Sequence, residues 1–361
     1  MNERKKFMKN NLILKKIICC FMTFIMVFGI FHVIRPKQVQ AATYPLKVHY
    51  LDVKGDATLI KYTYNGQTHY GMIDAGQETE NNKASESAAA YFAGIADKAG
   101  NPRTLDFCII THAHNDHYIG LKYFEDYNIK VKNMYVNSYY RNLQTDGKVS
   151  LNTRLNSMKN NGSINNIIYV GYNNSSNVIT YGGGFSLRIL GPVLQESTST
   201  GDAVVNVRSM MCTLDYDNYK YIFMGDIYEK DGKGLPTITN SLLYKNYLVP
   251  TSSGTKVIYK IGHHGRRNAN NYNASAEEAM YKYISNNGTN KVYCIANKYF
   301  SSGSEYYTNS TALQNLWYTK TGNVYFNTGY KKTSKTSYSA TARDTVNGIS
   351  ALTSTTSLGF N

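Results

Sequence analysis

The sequence predicts an α+β protein built as a four-layer αββα sandwich, two β-sheets face to face with helices on the outside. Three observations predict it. Strand-like runs fall into two successive blocks, each interspersed with helical segments. Short polar turns, Asn65-Gly66 and Asp217-Asn218, join neighbouring strands into hairpins. A hydrophobic content of 42% over 361 residues supplies a core of that size.

The elements follow in order. Leu46–Val53, Ala57–Tyr64 and Gln67–Asp74 alternate as strands. Lys83–Lys98 is Ala-rich with helical spacing, and Asn101-Pro102 ends it. Leu105–Ile110 is a short buried strand, Tyr118–Asp126 a helix and Val131–Val136 a strand. Ser138 to Asn165 is polar with a helix in its middle. Strands resume at Ile167–Val170, Phe185–Leu190, Met210–Tyr216 and Tyr219–Met224. Ile238–Tyr247 reads as a helix, Lys256–Ile261 as a strand, Ala274–Ser285 as a helix and Lys291–Ala296 as a strand. Ser310–Tyr318 (helix) and Asn323–Asn327 (strand) close a domain spanning 42–330. No repeat of 20–50 residues appears. Residues 331–361 are Ser/Thr-rich and poor in apolar residues, a loose extension or a few edge strands.

Residues 1–41 read as a signal peptide. Met1–Lys16 is basic, Ile17–Ile34 is apolar, and Val39-Gln40-Ala41 offers small residues at a cleavage site. The rival is an uncleaved membrane anchor, since the apolar run approaches the ~20 residues of a span. The chain is therefore expected to be secreted or at the cell surface, of a Gram-positive type of bacterium, and membrane-anchored if the leader stays. The leader holds 8 of the 39 Lys/Arg and one of the 24 acids, so the +15 charge falls to +8 without it. That mild excess suits an anionic cell-wall polymer or a phosphorylated small molecule. No Lys/Arg block reads as a nucleic-acid arm, so nucleic acid is the weaker reading. Beyond the leader, Cys108, Cys212 and Cys294 lie in apolar runs and read as buried thiols, not a disulfide framework.

The chemistry concentrates in "THAHNDH", Thr111 to His117, on a strand-to-helix loop. It carries three of the chain's 8 histidines. Imidazole and carboxylate together form the ligand set of zinc and similar ions. His112 and His114 are two apart, so on an extended loop both face one metal. Asp116 and His117, on the turn that follows, face a second. Two such ions hold an activated water and stabilise both the attacking and the leaving oxygen. A carboxylate shared between them and further histidines are then needed. "GHHGRRN", from Gly262, is the other histidine-rich segment.

H-x-H-x-D-H after a buried strand resembles the metallo-β-lactamase superfamily of metallo-hydrolases. "HYLDVKGDATLI" is similar to the opening strand pair in the hydrolase domain of competence protein ComEC. "GMIDAG", "YIFMGD" and "YKIGHHG" resemble three further motifs of that branch, in the same order, from about Leu46 to Tyr330. Exported relatives of the branch include the phosphorylcholine esterase that trims teichoic acids. The resemblance implies His112 and His114 as ligands of a first metal, Asp116, His117 and His263 as ligands of a second, and Asp226 as the bridge. Asp74 would orient a ligand. His263 is preferred to His264 because the family's ligand usually stands two before the Gly, here Gly265; His264 could instead contact substrate. Asp116 and His264 are the candidates for moving protons. Two divalent ions are implied, zinc by ligand type, with manganese the alternative.

Two departures stand out. The wider superfamily has another histidine midway to the bridging aspartate, yet none lies between His117 and His263. "NVRSMM" occupies that place, with Asn206 and Ser209 resembling the branch's Asn/Ser pattern. "DVKGDA" is also one residue shorter than the branch's turn, leaving the role of Lys54 open. Arg266-Arg267 could clamp an anion bidentately beside the metals, or be a solvated pair. His49 and His69 read as packing residues. Gly182-Gly183-Gly184 reads as a strand turn. Tyr135, Tyr139 and Tyr140 could flank a groove.

The sum is a secreted metal-dependent hydrolase using a metal-bridging hydroxide, with phosphodiester hydrolysis as the reaction the branch implies. The alternatives are a β-lactamase or lactonase of the same fold, and a non-catalytic cell-wall-binding protein with a degenerate metal site.

Overall fold

The computed structural model of the protein describes residues 46–144, 147–265, 274–296, 313, 315–326, 330–332, 338–340, 345–346 and 349–351. All fall within the unit Tyr44–Asn361. The leader read over residues 1–41, Arg266 and Arg267 lie outside the described residues.

The first sheet opens with an antiparallel meander, β1 (Leu46–Tyr50), β2 (Ala57–Tyr64) and β3 (Gln67–Ala75). Parallel strands follow: β4 (Thr104–Ile110), β5 (Lys130–Asn137) and β6 (Ile164–Val170). The second sheet repeats this plan. β7 (Asn177–Gly182), β8 (Phe185–Leu190), β9 (Met211–Tyr216) and β10 (Tyr219–Phe223) form the meander. A small ribbon, β11 (Glu229–Lys230) with β12 (Lys233–Gly234), follows. β13 (Lys256–Lys260), β14 (Val292–Ala296) and β15 (Val324–Phe326) then add in parallel beyond β10.

The described part of the Ser/Thr-rich tail forms edge strands. β16 (Tyr330–Lys332) and β17 (Tyr338–Ala340) extend the second sheet. β18 (Thr345–Val346) and β19 (Ile349–Ala351) cover the free edge of β1. Covering an exposed edge removes a template for unwanted strand pairing.

Alternation along the strands sorts side chains into three apolar layers. Between the sheets lie Val48, Ile60, Tyr62, Phe107 and Ile109, against Phe185, Leu187, Leu214, Tyr221 and Ile258. On the outer face of the first sheet, Leu59, Met72, Cys108 and Met134 meet helices α1 (Ala88–Lys98), α2 (Asn115–Tyr118), α3 (Tyr123–Asp126) and α4 (Leu151–Asn160). Ser87 and Ser150 cap α1 and α4, each accepting from a backbone N–H three residues on, at 3.2 Å. A five-residue helix, α5 (Asp202–Asn206), lies on the β8–β9 connection. On the outer face of the second sheet, Ile222, Val257, Tyr259 and Cys294 pack on α6 (Leu235–Thr239), α7 (Leu242–Leu248), α8 (Ala274–Ile284) and Trp317. These are the four layers the sequence predicts.

Local differences have local causes. The helix expected over Tyr118–Asp126 is broken into α2, a 3-10 turn at Ile119–Lys122 and α3. The helix expected over Ile238–Tyr247 is two helices, α6 with Pro236 in its first turn and α7. Cys108, Cys212 and Cys294 are buried free thiols. Among the described residues no helix is long and apolar enough to cross a membrane.

Phe107 fills the space opposite Gly71, where an added Cβ would lie 1.9 Å from the Phe107 ring. Truncating such a buried aromatic leaves a cavity. Phe107→Ala is expected to cost about 3–5 kcal/mol, read from the midpoint of a urea titration; a loss below about 1 kcal/mol would remove Phe107 from this role.

Candidate metal centre

Asp74, at the end of β3, starts the site. It adopts φ 57°, in the left-handed region. Its carboxylate accepts from the Thr111 N–H at 2.8 Å and the Thr111 hydroxyl at 2.9 Å, which fixes the chain as it leaves β4. Oδ2 also accepts from His117 Nδ1 at 2.8 Å. That bond assigns one ring proton to Nδ1 and turns Nε2 toward the centre, where its lone pair is available once the second proton leaves.

Asp226 follows β10 on a sharp turn. Gly225 has φ +55°, and a Cβ there would crowd Ser209 Cβ at 2.9 Å. The turn is held from behind by Ser209, whose hydroxyl accepts from the Asp226 N–H at 3.2 Å and donates to the Asn206 carbonyl at 2.8 Å. Asn137, at the end of β5, donates to the Thr111 and Arg208 carbonyls at 3.0 and 2.7 Å. It ties the two loops together.

The ligand atoms converge on Asp226. Its Oδ1 lies 3.1 Å from His117 Nε2, and its Oδ2 lies 3.5 Å from His112 Nε2 and 3.7 Å from His264 Nε2. Asp116 Oδ2 meets His264 Nε2 at 3.0 Å. His114 Nδ1 stands 3.1 Å from His112 Nε2. His112, His117 and Asp226 form one group spaced to hold a metal, and Asp116, His117 and His264 another.

The structure moves one assignment. His264, not His263, stands among the carboxylates, while the His263 ring stacks on Tyr228 at 4.9 Å. Both residues have positive φ, 50° and 57°. Two consecutive left-handed residues turn the chain so that spacing counted back from Gly265 no longer identifies the inward side chain. His264 faces Asp116 inside this cluster and belongs to a group spaced to hold a metal.

The other expected residues fall as follows. Asn206 is buried and its Oδ1 makes no hydrogen bond. Tyr135 belongs to the core between the sheets, not to a groove. His69 is fixed by Asp106 at 2.6 Å and stacked on Tyr181, and His49 sits against Tyr91. Sequence reasoning passed over Asp56, Lys260, Asn137 and Asp202, whose Oδ1 stands 3.7 Å from His114 Nε2. For Asp56 and Lys260 a signal existed: opposite charges bordering apolar runs, Asp56 just before β2 in "GDATLI" and Lys260 at the end of β13 in "VIYKI". Lys54 contributes its carbonyl, which accepts from the Gln77 N–H at 2.7 Å.

The electrostatics suit cations. Burial alone would lower the His117 pKa, yet the Asp226, Asp74 and Asp116 carboxylates raise it well above the usual histidine range. Burial and the charge of His117 push His112 well below that range. Burial would raise Asp226, but His117, His264 and His112 hold it well below the usual carboxylate range. His114 Nε2, His117 Nε2 and Asp226 Oδ1 are buried without a hydrogen bond. Buried polar atoms are normally satisfied, so this donor set fits divalent ions. His112 and Asp226, with His117, are spaced to hold one, and Asp116 and His264, with His117, another; His114 stands beside the first group, at His112.

The sequence matches the model of the metallo-beta-lactamase superfamily over residues 52–248, more than half of the chain. The chain therefore belongs to the metallo-beta-lactamase superfamily and is a metallo-hydrolase of that class. Among solved structures it is similar to a diphosphatase of the PhnP family (11% identity, TM-score 0.37, covering 70% of this chain and 84% of that one). It is also similar to the metallo-beta-lactamase fold protein YhfI from Bacillus subtilis (11% identity, TM-score 0.38, covering 75% and 93%). A third is unliganded yeast PDE1 (8% identity, TM-score 0.45, covering 79% and 97%). A search of curated proteins found no match.

Two predictions follow from the geometry. His264→Ala should lose metal by elemental analysis, whereas His263→Ala should keep it; the reverse result would restore the assignment made from spacing. His117 has a raised pKa, so its protonated network stabilises the fold fully below about pH 6.5 and loses that contribution as pH rises through the raised value. A metal must displace this proton at neutral pH. Calorimetric titration with Zn²⁺ should show buffer-dependent heats from proton release, and equal heats in buffers of different ionisation enthalpy would contradict it.

Proposed function

We propose that the chain is an exported phosphodiesterase of the ComEC-like branch, using two divalent ions and acting on a phosphodiester of the cell envelope or its surroundings. The observation that carries the two-ion reading is the Asp226 carboxylate, with one oxygen toward His117 and the other toward His112 and His264. A carboxylate so placed can serve two cations at once.

When bound, the two ions supply a water that is nucleophilic at neutral pH and neutralise charge on the reacting oxygens. The chain's own residues set the stage. Asp74 keeps the His117 proton on Nδ1. Asp116 has a side chain 27% exposed, against 2% for Asp226, so of the two it is the one open to solvent, which supports a role toward substrate. His264 Nε2 meets Asp116 Oδ2 at 3.0 Å, which supports placing both in one ligand group. Zinc suits the imidazole donors; manganese suits a position with this much carboxylate.

The phosphodiester preference is supported by the motif resemblance in "DVKGDA", "YIFMGD" and "YKIGHHG" and by the mild positive charge beyond the leader. Teichoic-acid-type polymers and small phosphodiesters are the partners this favours. Export is supported by the leader pattern over residues 1–41. An exported product whose N-terminus follows Ala41 would agree, and a retained Met1 would make it an anchored protein.

The metal-loaded chain should hydrolyse bis-p-nitrophenyl phosphate and lose that activity to a chelator. Asp226→Asn should lower kcat/KM by more than the roughly 10–100-fold typical of supporting residues. Turnover of nitrocefin or a homoserine lactone with none of the phosphodiester would overturn the substrate class while leaving the fold and the metals in place.

A further inference from the structure

Asp56 is fully buried, and Lys260 is buried with it. Lys260 Nζ donates to Asp56 Oδ2, across 204 residues of sequence and across the two sheets. Neither residue has a part in the ligand set above. Yet a carboxylate oxygen of Asp56 lies within 4.8 Å of ligand atoms of Asp226 and His264, and likewise of Asp74 and His117. Oδ1, the Asp56 oxygen that Lys260 does not engage, is buried without a hydrogen bond.

The backbone around the pair is committed to both halves of the centre. The Asp56 N–H donates to the Asp116 carbonyl at 2.8 Å, and the Asp56 carbonyl accepts from the Gly76 N–H at 2.8 Å. Gly55 has φ +82°, and a Cβ there would stand 2.1 Å from the Asp116 oxygen, so the turn before β2 rests directly on the histidine loop. Lys260 is the last residue of β13, four before His264. The ion pair therefore connects the segment carrying Asp116 and His117 to the segment carrying His264.

We propose that Asp56 and Lys260 form a buried clamp that holds these two segments at ligating separation, so that both are positioning residues for the second metal position. This rests on the two-ion reading above. Burying such a pair is costly and seldom adds net stability over an apolar pair of similar volume. A role in positioning accounts for its place under the ligands, where a loss of order would weaken metal binding as loss of supporting partners does elsewhere.

The test uses the full mature chain with Lys260→Met, Asp56→Asn and the double variant. Zn²⁺ affinity is measured by competition with a chelator, and unfolding with no metal added is followed in parallel. Lys260→Met should unfold most easily, because it leaves a buried carboxylate unpaired. The double variant should recover much of that stability. The clamp predicts that all three bind one of two Zn²⁺ ions, the one held through Asp116, His117 and His264, roughly 10–100-fold less tightly, the double variant included. Recovery of both stability and affinity in the double variant would overturn the clamp and leave a packing role. Unchanged affinity in the single variants would overturn it too. A wild-type chain that binds no divalent ion would overturn the two-ion reading and the clamp with it, whereas two ions bound with unchanged variants would sink the clamp alone.

Discussion

The structure depends on mutual compensation among ionisable side chains buried at one end of the two sheets. Asp56, Asp74 and Asp226 are at most 2% exposed, beside His112, His117 and His264 at most 4% exposed. An isolated charge in such a place costs several kcal/mol. Each group is therefore tolerable only because its neighbours are fixed within a few ångströms. Asp74 fixes His117, His117 faces Asp226, and Asp226 faces His112 and His264. The glycine-bearing turns, the left-handed histidines and the buried Ser209 and Asn137 serve to keep those distances. Strain in the backbone here is the counterpart of electrostatic order.

The common plan of the sheets explains why these groups meet. In each sheet a meander leads into parallel strands, and the site residues leave the carboxyl ends of those strands. Asp74 ends β3, the histidine motif follows β4, Asn137 ends β5, Asp226 follows β10 and His264 follows β13. Asp56 precedes β2, whose first residue Ala57 pairs with Ala75 at the end of β3. Ser209 precedes β9, whose Cys212 pairs with Phe223 at the end of β10. Antiparallel neighbours thus bring their amino ends to the same rim. A crevice outside the carboxyl ends of parallel strands is where α/β sheets generally bind ligands.

Much of this was legible in the sequence, because strong periodicity and unusual composition survive without context. The strands from β1 to β5 and from β8 to β10, with β13 and β14, follow from apolar alternation and turn residues. The metal motif follows from three histidines and an aspartate within six positions. What escaped had weak local signals. β7 alternates only between half-buried and exposed, and α5 is five residues long. Neither length nor pattern separates them from loop.

The exchange of His263 for His264 and the silence over Asp56 and Lys260 have one physical origin. Sequence spacing predicts direction only where the backbone is regular, and both features sit where regularity ends. Two successive left-handed residues at His263 and His264 break the alternation that the β13 strand establishes. Lys260, the last regular residue before that break, still obeys it: its side chain points the way Ile258 does, between the sheets. Alternation alone would mark that as an unpaired lysine in an apolar core, which cannot stand. The unpaired charge is the clue, and it asks for a buried acid elsewhere in the chain. Of the apolar strands facing the same core, β2 is directly preceded by an acid, Asp56. A buried charge that a sequence pattern leaves without a partner is therefore a pointer to long-range contact, and in this chain it leads to the floor of the metal centre.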